Sequence, residues 1–234
     1  MSKVIVALDF DSEEKAIGLV KEIIGEVSYF KVGLELFSRC GVSIVKKISD
    51  LGGRVFLDLK YHDIPNTVKS AAKVAVESGA FMYNVHAFGG FNLLKEVAEF
   101  NREYAESLGI EKPLLIAVTV LTSMGEEDLK SIGIHDSVEN TVLRLAELAK
   151  KAGFDGVVCS AKEVKRIKER LGEDFITVTP GIRPLWASKD DQKRVVTPKL
   201  AVQLSVDYMV IGRPITRAEN PLEAIKKIKS EISG

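Results

Sequence analysis

The sequence predicts one α/β domain, residues 1–234, folded as a single closed (β/α)8 barrel of the TIM type. Three observations carry that expectation. Eight short β-branched runs alternate with amphipathic stretches from one end of the chain to the other. No Pro-, Ser- or Gly-rich linker and no low-complexity segment divides them. The first three runs begin at Val4, Tyr29 and Arg54, 25 residues apart, a comfortable length for a strand plus a crossover helix. Eight such units in an unbroken chain favour a barrel over an open doubly wound sheet. The open sheet would normally carry a Gly-rich phosphate turn after its first strand, and Asp9-Phe10-Asp11-Ser12 is not one.

Taken in order, the first strand is Val4–Asp9, and Asp11 with Glu14 resembles a capping box ahead of a helix over Lys15–Ile24. Tyr29–Leu34 is the second strand. Ile44, Val45, Ile48 and Leu51 then recur at helical spacing until Gly52-Gly53 stops them. The third strand, Arg54–Lys60, leads past Pro65 into a helix over Val68–Ser78. Pro65 biases Ile64 towards an extended backbone, and Asn66 or Thr67 is placed to cap that helix. Phe81–His86 precedes a helix at Leu93–Leu108, Leu114–Leu121 one at Ser137–Ala152, and Gly156–Ser160 one at Ala161–Leu171. Phe175–Gly181 is followed by a polar segment and a helix at Pro198–Ser205. The last strand, Tyr208–Ile215, precedes Pro221–Ile232, where Pro221 suits a first helical turn.

Composition narrows the function. A hydrophobic share of 46% with 28% charged residues is that of a globular protein able to bury a sizeable core. The 33 basic and 33 acidic residues cancel, removing the whole-chain attraction on which nucleic-acid binders rely. No apolar run approaches the roughly 20 residues that span a bilayer, so no membrane partner is expected. The N-terminus reaches Asp9 too soon for a signal peptide, and Cys40 and Cys159 read as two reduced, inert thiols. Both point to the cytoplasm. His62, His86 and His135 have no metal-ligand spacing, and no Gly-x-Ser-x-Gly turn occurs. Neither a metal nor another cofactor is expected, and His86 reads as packed near the site.

In a barrel, chemistry belongs to the C-terminal ends of strands and the loops after them. Charges crowd there. Asp9 ends the first strand, Lys31 interrupts Phe30 and Val32 in the second, and Asp58 and Lys60 close the third. Alternation puts Asp58 and Lys60 on one face and Leu57 and Leu59 on the other. Burying such groups is costly unless they pair with one another or with a ligand, and three strands contributing a charge at similar depth favours a site over chance. Asp63, three residues beyond Lys60, is a candidate fourth charge.

A second concentration follows the last two strands, at Thr179-Pro180-Gly181-Ile182-Arg183-Pro184 and Ile211-Gly212-Arg213-Pro214. Those two loops of a barrel frequently hold a phosphate. Glycine lets backbone amides approach an anion, and arginine presents a planar fork of donors. The polar segment between these two turns, Trp186 to Thr197, is long enough to be a lid.

The run Asp58-Leu59-Lys60-Tyr61-His62-Asp63-Ile64-Pro65-Asn66-Thr67 resembles the signature of the orotidine 5′-monophosphate decarboxylases. The likeness extends over the whole chain: Val-Ala-Leu-Asp ending at Asp9, Phe-Lys-Val-Gly at Lys31, Val-Thr-Val-Leu-Thr-Ser ending at Ser123, Thr-Pro-Gly-Ile-Arg-Pro, and Ile-Gly-Arg-Pro-Ile-Thr at 211–216. The resemblance implies a metal-free barrel enzyme, a homodimer, that converts orotidine 5′-monophosphate to uridine 5′-monophosphate and CO2, the last step of de novo pyrimidine nucleotide synthesis. It implies that Lys31, Asp58 and Lys60 form a charge network, with Lys60 protonating a carbanion-like C6. Asp63 would complete the network in the partner subunit's site. Asp9 and Lys31 would hold ribose hydroxyls, with Ile64 and Thr67 contributing across the interface. Thr122 would meet the pyrimidine, and Arg183, Gln192, Gly212 and Arg213 the phosphate. Phe88 stands where smaller residues are common in that family. Two rivals remain at this point. Magnesium-dependent sugar-phosphate decarboxylases or aldolases of the same superfamily share the Asp-x-Lys-x-x-Asp strand without Ile-Pro-Asn-Thr. A non-catalytic nucleotide-binding barrel would have no need of so costly a charge set.

Overall fold

The computed structural model describes residues 2–187 and 195–233. Eight strands pair in parallel in chain order, and the last closes on the first: β1 (Lys3–Ala7), β2 (Tyr29–Gly33), β3 (Arg54–Tyr61), β4 (Met82–His86), β5 (Leu114–Val118), β6 (Gly156–Val158), β7 (Ile176–Thr179) and β8 (Tyr208–Ile211). This is the expected (β/α)8 barrel. Outside it lie α1 (Glu13–Ile23), α2 (Leu34–Cys40), α3 (Ser43–Asp50), α4 (Pro65–Glu77), α5 (Gly90–Ser107), α6 (Glu126–Ser131), α7 (Val138–Ala152), α8 (Ala161–Leu171), α9 (Pro198–Gln203), α10 (Arg213–Thr216) and α11 (Pro221–Ser233). Among the described residues no helix is long and apolar enough to cross a membrane.

Strand alternation sorts the side chains into two cores. Ile5, Phe56, Met82, Ile116, Val178 and Tyr208 pack together inside the barrel. Their neighbours one residue along, among them Val4, Val55, Leu57, Tyr83 and Leu115, face outward and meet the apolar stripes of the helices. Ile44, Val45 and Ile48, read from their spacing, are fully buried there. At the N-terminal end, Lys3 lies over Tyr29 and Tyr208, and Arg54 over Tyr29 and Phe81, at 5.3–5.8 Å. These cations and rings close the floor and leave the opposite rim for chemistry.

A buried cation ties α8 to the base of the last two strands. Lys168 Nζ donates to the carbonyls of Glu173 and Phe175 at 2.6 and 3.0 Å and to Asp207 Oδ2 at 2.7 Å. Asp207 also accepts the Thr177 N–H at 2.7 Å. Removing one partner of such a pair leaves the other charge buried and uncompensated. Asp207→Ala should therefore cost about 3 kcal/mol of stability, read as a lower midpoint of urea unfolding at unchanged slope.

Several boundaries differ from expectation. β1 stops at Ala7 rather than Asp9, β2 at Gly33 rather than Leu34, β5 at Val118 rather than Leu121, and β7 at Thr179 rather than Gly181. In each the chain bends into the rim; Gly181, for one, adopts φ +78, which glycine tolerates. The end of the expected eighth strand is instead the short helix α10, because Pro214 sits in its first turn, where a missing N–H costs little. The N-cap of α1 is Ser12, whose hydroxyl accepts from Lys15 N at 3.3 Å, while Asp11 pairs with the Lys15 ammonium instead. Helix α4 begins at Pro65 with Ile64 as N-cap, so Asn66 and Thr67 lie inside its first turn and neither caps it. The helices α2, α6 and α10 are too short to display a helical period in sequence.

The irregularity that matters most is in β3. Its register with β4 passes from Leu57↔Tyr83 to Tyr61↔Val85. Asp58, Leu59 and Lys60 thus face a single β4 residue, Asn84. Lys60 absorbs the excess with φ +51, a left-handed backbone that non-glycine residues seldom adopt. Bulges of this kind recur beside active sites, where they re-aim a side chain.

Candidate active site

The charges expected at the strand ends converge. Lys31 Nζ, from the middle of β2, lies 2.8 Å from Asp9 Oδ1 and 3.7 Å from Asp58 Oδ2. Lys60 Nζ lies 2.7 Å from Asp58 Oδ1. The order Asp9–Lys31–Asp58–Lys60 alternates in sign, which offsets the desolvation cost that a lone charge would carry. The side chains of Lys31 and Asp58 are only 11% and 13% exposed, and that of Lys60 is 32%. Leu57 and Leu59 pack outward, as alternation predicts.

These groups form one wall of a cavity of about 210 Å³ inside the barrel mouth. The other walls are mainly apolar, from Val118, Val120, Val158, Val178 and Val210, with Thr122 and Ser123 as polar points in the loop after β5. A second cavity of about 150 Å³ shares Lys31, Pro180 and Val210 with the first. It runs on to Asp9, Gly181, Arg183, Gly212 and Arg213. The two make one trough, with an ammonium–carboxylate cluster at one end and two guanidinium groups at the other. Gly212 permits close approach: a Cβ there would sit 3.4 Å from the Ala7 Cβ. Arg183 N–H donates to the Val196 carbonyl at 2.8 Å, and Val196 N–H to the Gly181 carbonyl at 3.2 Å. The two ends of the 183–197 segment are therefore joined at their base. Gln192, and with it most of the expected lid, lies outside the described residues.

The expected residues beyond β3 do not join the cluster within this chain. Asp63 is exposed and accepts the Ile64 N–H at 2.6 Å. Ile64 is 67% exposed and Thr67 is exposed on α4. His86 stacks on His62 with ring centroids 5.3 Å apart and meets Phe88 at 5.4 Å. Burial pushes its imidazole down to about 4, with His62 and Lys60 adding to the effect, so it is neutral at pH 7. Among the described residues no group of three or more His, Cys, Asp and Glu side chains is placed to hold a metal ion.

Two residues of the site escaped the sequence reading. Asn84 is fully buried on β4; its Nδ2 donates to Asp58 Oδ1 at 2.7 Å and its Oδ1 accepts the Lys60 N–H at 2.8 Å. Its signal was a polar residue inside Met82-Tyr83-Asn84-Val85-His86, on the inward phase of the strand. Gly33 makes room for the Lys31–Asp9 pair, since a Cβ there would stand 2.7 Å from Lys31 Nζ and 3.3 Å from Asp9 Oδ1. Its place in Phe-Lys-Val-Gly, two residues beyond Lys31 on the same face, was the available hint.

Comparison with known proteins points one way. Residues 2–228 match the model of the orotidine 5′-phosphate decarboxylase / HUMPS family. The chain is 49% identical over 232 residues to an orotidine 5′-phosphate decarboxylase of Syntrophomonas wolfei, covering 98% of this chain and 97% of the relative. It is 50% identical over 231 residues to one from Saccharophagus degradans, covering 99% and 95%. Among solved structures, an orotidine 5′-phosphate decarboxylase from Lactobacillus acidophilus superposes with a TM-score of 0.85 at 39% identity, over the full length of both chains.

Proposed function

The chain belongs to the orotidine 5′-phosphate decarboxylase / HUMPS family, and from that premise we propose that it converts orotidine 5′-monophosphate to uridine 5′-monophosphate and CO2. It is a carboxy-lyase of pyrimidine biosynthesis. The observation that carries this reading is the trough with Lys31, Asp58 and Lys60 on one wall and Arg183 and Arg213 at its far end. A nucleotide carrying a reactive base and a 5′-phosphate matches both ends.

In this reading the C6–carboxylate bond breaks heterolytically, CO2 leaves, and the electron pair stays on C6. No carbonyl adjoins that carbon to take up the charge. The Lys60 ammonium stabilises it and then donates the proton that forms the C6–H bond, to be re-protonated from solvent. Asp58 holds Lys60 in place and stands near the departing carboxylate. Asp9 and Lys31 bind ribose hydroxyls, and Thr122 the pyrimidine. Arg183, Gln192, Gly212 and Arg213 take the phosphate. Binding energy from that remote group positions the base against Lys60 and so is converted into rate.

The protein acts as a homodimer in which Asp63, Ile64 and Thr67 of each chain complete the partner's site. The exposed, partly apolar stretch after β3 supports this, as does the place of Asp63 outside both cavities of its own chain. The two free thiols suit a cytoplasmic protein.

The test is to incubate purified, chelator-treated protein with orotidine 5′-monophosphate and follow the loss of orotate absorbance. Turnover that needs added magnesium, or none at all, would overturn the reading. Arg213→Ala should lower kcat/KM on the nucleotide by about a hundredfold, the worth of a hydrogen-bonded charge pair of about 3 kcal/mol. On the nucleoside orotidine, which has no phosphate to lose, the effect should be within about threefold. An equal loss on both substrates would assign Arg213 to the fold or the chemistry instead.

A further inference from the structure

We propose that Asn84 is a positioning residue for the decarboxylation, fixing with one side chain both the backbone that carries Lys60 and the carboxylate with which Lys60 pairs. The inference rests on the function proposed above.

The register of β3 and β4 sets the problem that Asn84 solves. Asp58, Leu59 and Lys60 stand opposite Asn84 alone, so the regular ladder is interrupted where the site needs its geometry held most firmly. Lys60 takes φ +51 there, and a non-glycine residue in that region carries a strain of order 1 kcal/mol. Something must hold it. The Lys60 N–H, deprived of a ladder partner, donates to Asn84 Oδ1 at 2.8 Å. The amide's other end donates to Asp58 Oδ1 at 2.7 Å. Its orientation follows from chemistry, because a backbone N–H can only donate and a carboxylate can only accept. Asp58 Oδ1 therefore receives both Asn84 Nδ2 and Lys60 Nζ, which fixes the rotation of the carboxylate while its Oδ2 faces Lys31 at 3.7 Å.

A primary amide is a short side chain that offers a donor and an acceptor at this reach whatever the pH. Its cost in a fully buried strand position is otherwise hard to justify. Were the amide lost, Lys60 could relax towards an ordinary strand backbone and carry its ammonium away from C6. A misplacement near 1 Å at a reacting group costs about a hundredfold in rate.

Two variants test the idea on the intact enzyme. Asn84→Ala should lower kcat by about a hundredfold at every pH, with affinity for uridine 5′-monophosphate held within about fivefold, since phosphate and ribose contacts persist. Asn84→Asp is nearly isosteric and gives a signature that a packing role would not. Protonated, the new carboxyl still donates to Asp58 and accepts from Lys60; ionised, it repels Asp58 and has nothing to donate. Paired carboxylates share a proton and one titrates high. The ratio of variant to wild-type kcat should therefore be highest at low pH and fall as pH rises. The groups that meet Asn84 are Asp58 and Lys60, with Lys31 beyond Asp58; Ile116, its register partner on β5, adds no charge, and His86, two residues along β4, is neutral at pH 7. An Asn84→Ala kcat within threefold of wild type, or an Asn84→Asp ratio flat with pH, would overturn the proposal. Should Asn84→Ala fail to fold, the Asn84→Asp profile decides alone. A wild-type enzyme that does not release CO2 from orotidine 5′-monophosphate would refute the underlying function instead.

Discussion

Lys60→Ala should show no measurable decarboxylation while still binding uridine 5′-monophosphate and unfolding near the wild-type urea midpoint. The loss is expected to be so large because one ammonium does two jobs. In the proposed mechanism it stabilises charge as it develops on C6, and it supplies the proton that ends the reaction. Enzymes lower barriers by roughly 8–23 kcal/mol, and no other cation is placed in this reading to take over both tasks; Lys31 is held between Asp9 and Asp58. The fold should tolerate the change, since the Lys60 side chain lies at the rim and is 32% exposed. Asp58 is not orphaned by it either, because Asn84 Nδ2 still donates to Oδ1. Single-turnover assays beside a calorimetric titration with uridine 5′-monophosphate separate chemistry from binding. A variant that keeps more than a tenth of wild-type turnover would remove Lys60 from the donor role.

What the sequence could reveal about this site follows from how each residue signals. Lys31, Asp58 and Lys60 were legible because a charge inside an apolar β-branched run is costly, and the period of two shows which charges share a face. Arg183 and Arg213 were legible because both follow a Gly turn after the last two strands, and they do line one cavity. Asn84 was not, because its role depends on a bulge in the neighbouring strand, and register is a property of pairs of strands that no single run displays. Gly33 was hidden for the opposite reason: a missing side chain has many causes, and only the neighbouring ammonium identifies this one. The strand expected to run through Ile215 failed because Ile211 and Ile215 favour a strand by propensity, whereas Pro214 and the rim geometry favour a helical turn. Asp63 is different again. Its sequence position suggests a fourth charge, yet within one chain it points to solvent and bonds its own neighbour's N–H. In the homodimer proposed above, its meaning depends on a second copy.

That dependence yields the second large effect. Lys60→Ala and Asp63→Ala homodimers should each be nearly inactive, yet co-expression of the two should restore activity. If each site takes Lys60 from one chain and Asp63 from the other, a mixed dimer has one site carrying both lesions and one carrying neither. An isologous two-fold interface allows no other distribution. Random pairing makes about half of the dimers mixed, each with one good site of two, so about a quarter of wild-type activity should return. Were Asp63 to serve its own chain, every site in the mixture would carry one lesion and nothing would return. Two affinity tags, one on each variant, allow the mixed species to be isolated, and its expected activity then rises to about half of wild type per dimer. Ile64 supplies an internal control. It is 67% exposed in the single chain and would be covered in the dimer, so Ile64→Asp should weaken assembly, measured by sedimentation as a concentration-dependent shift to monomer. Activity in that variant should rise with protein concentration as dimers re-form. Isolated mixed dimers with no activity would refute the shared site, even if the enzyme proves to be a dimer.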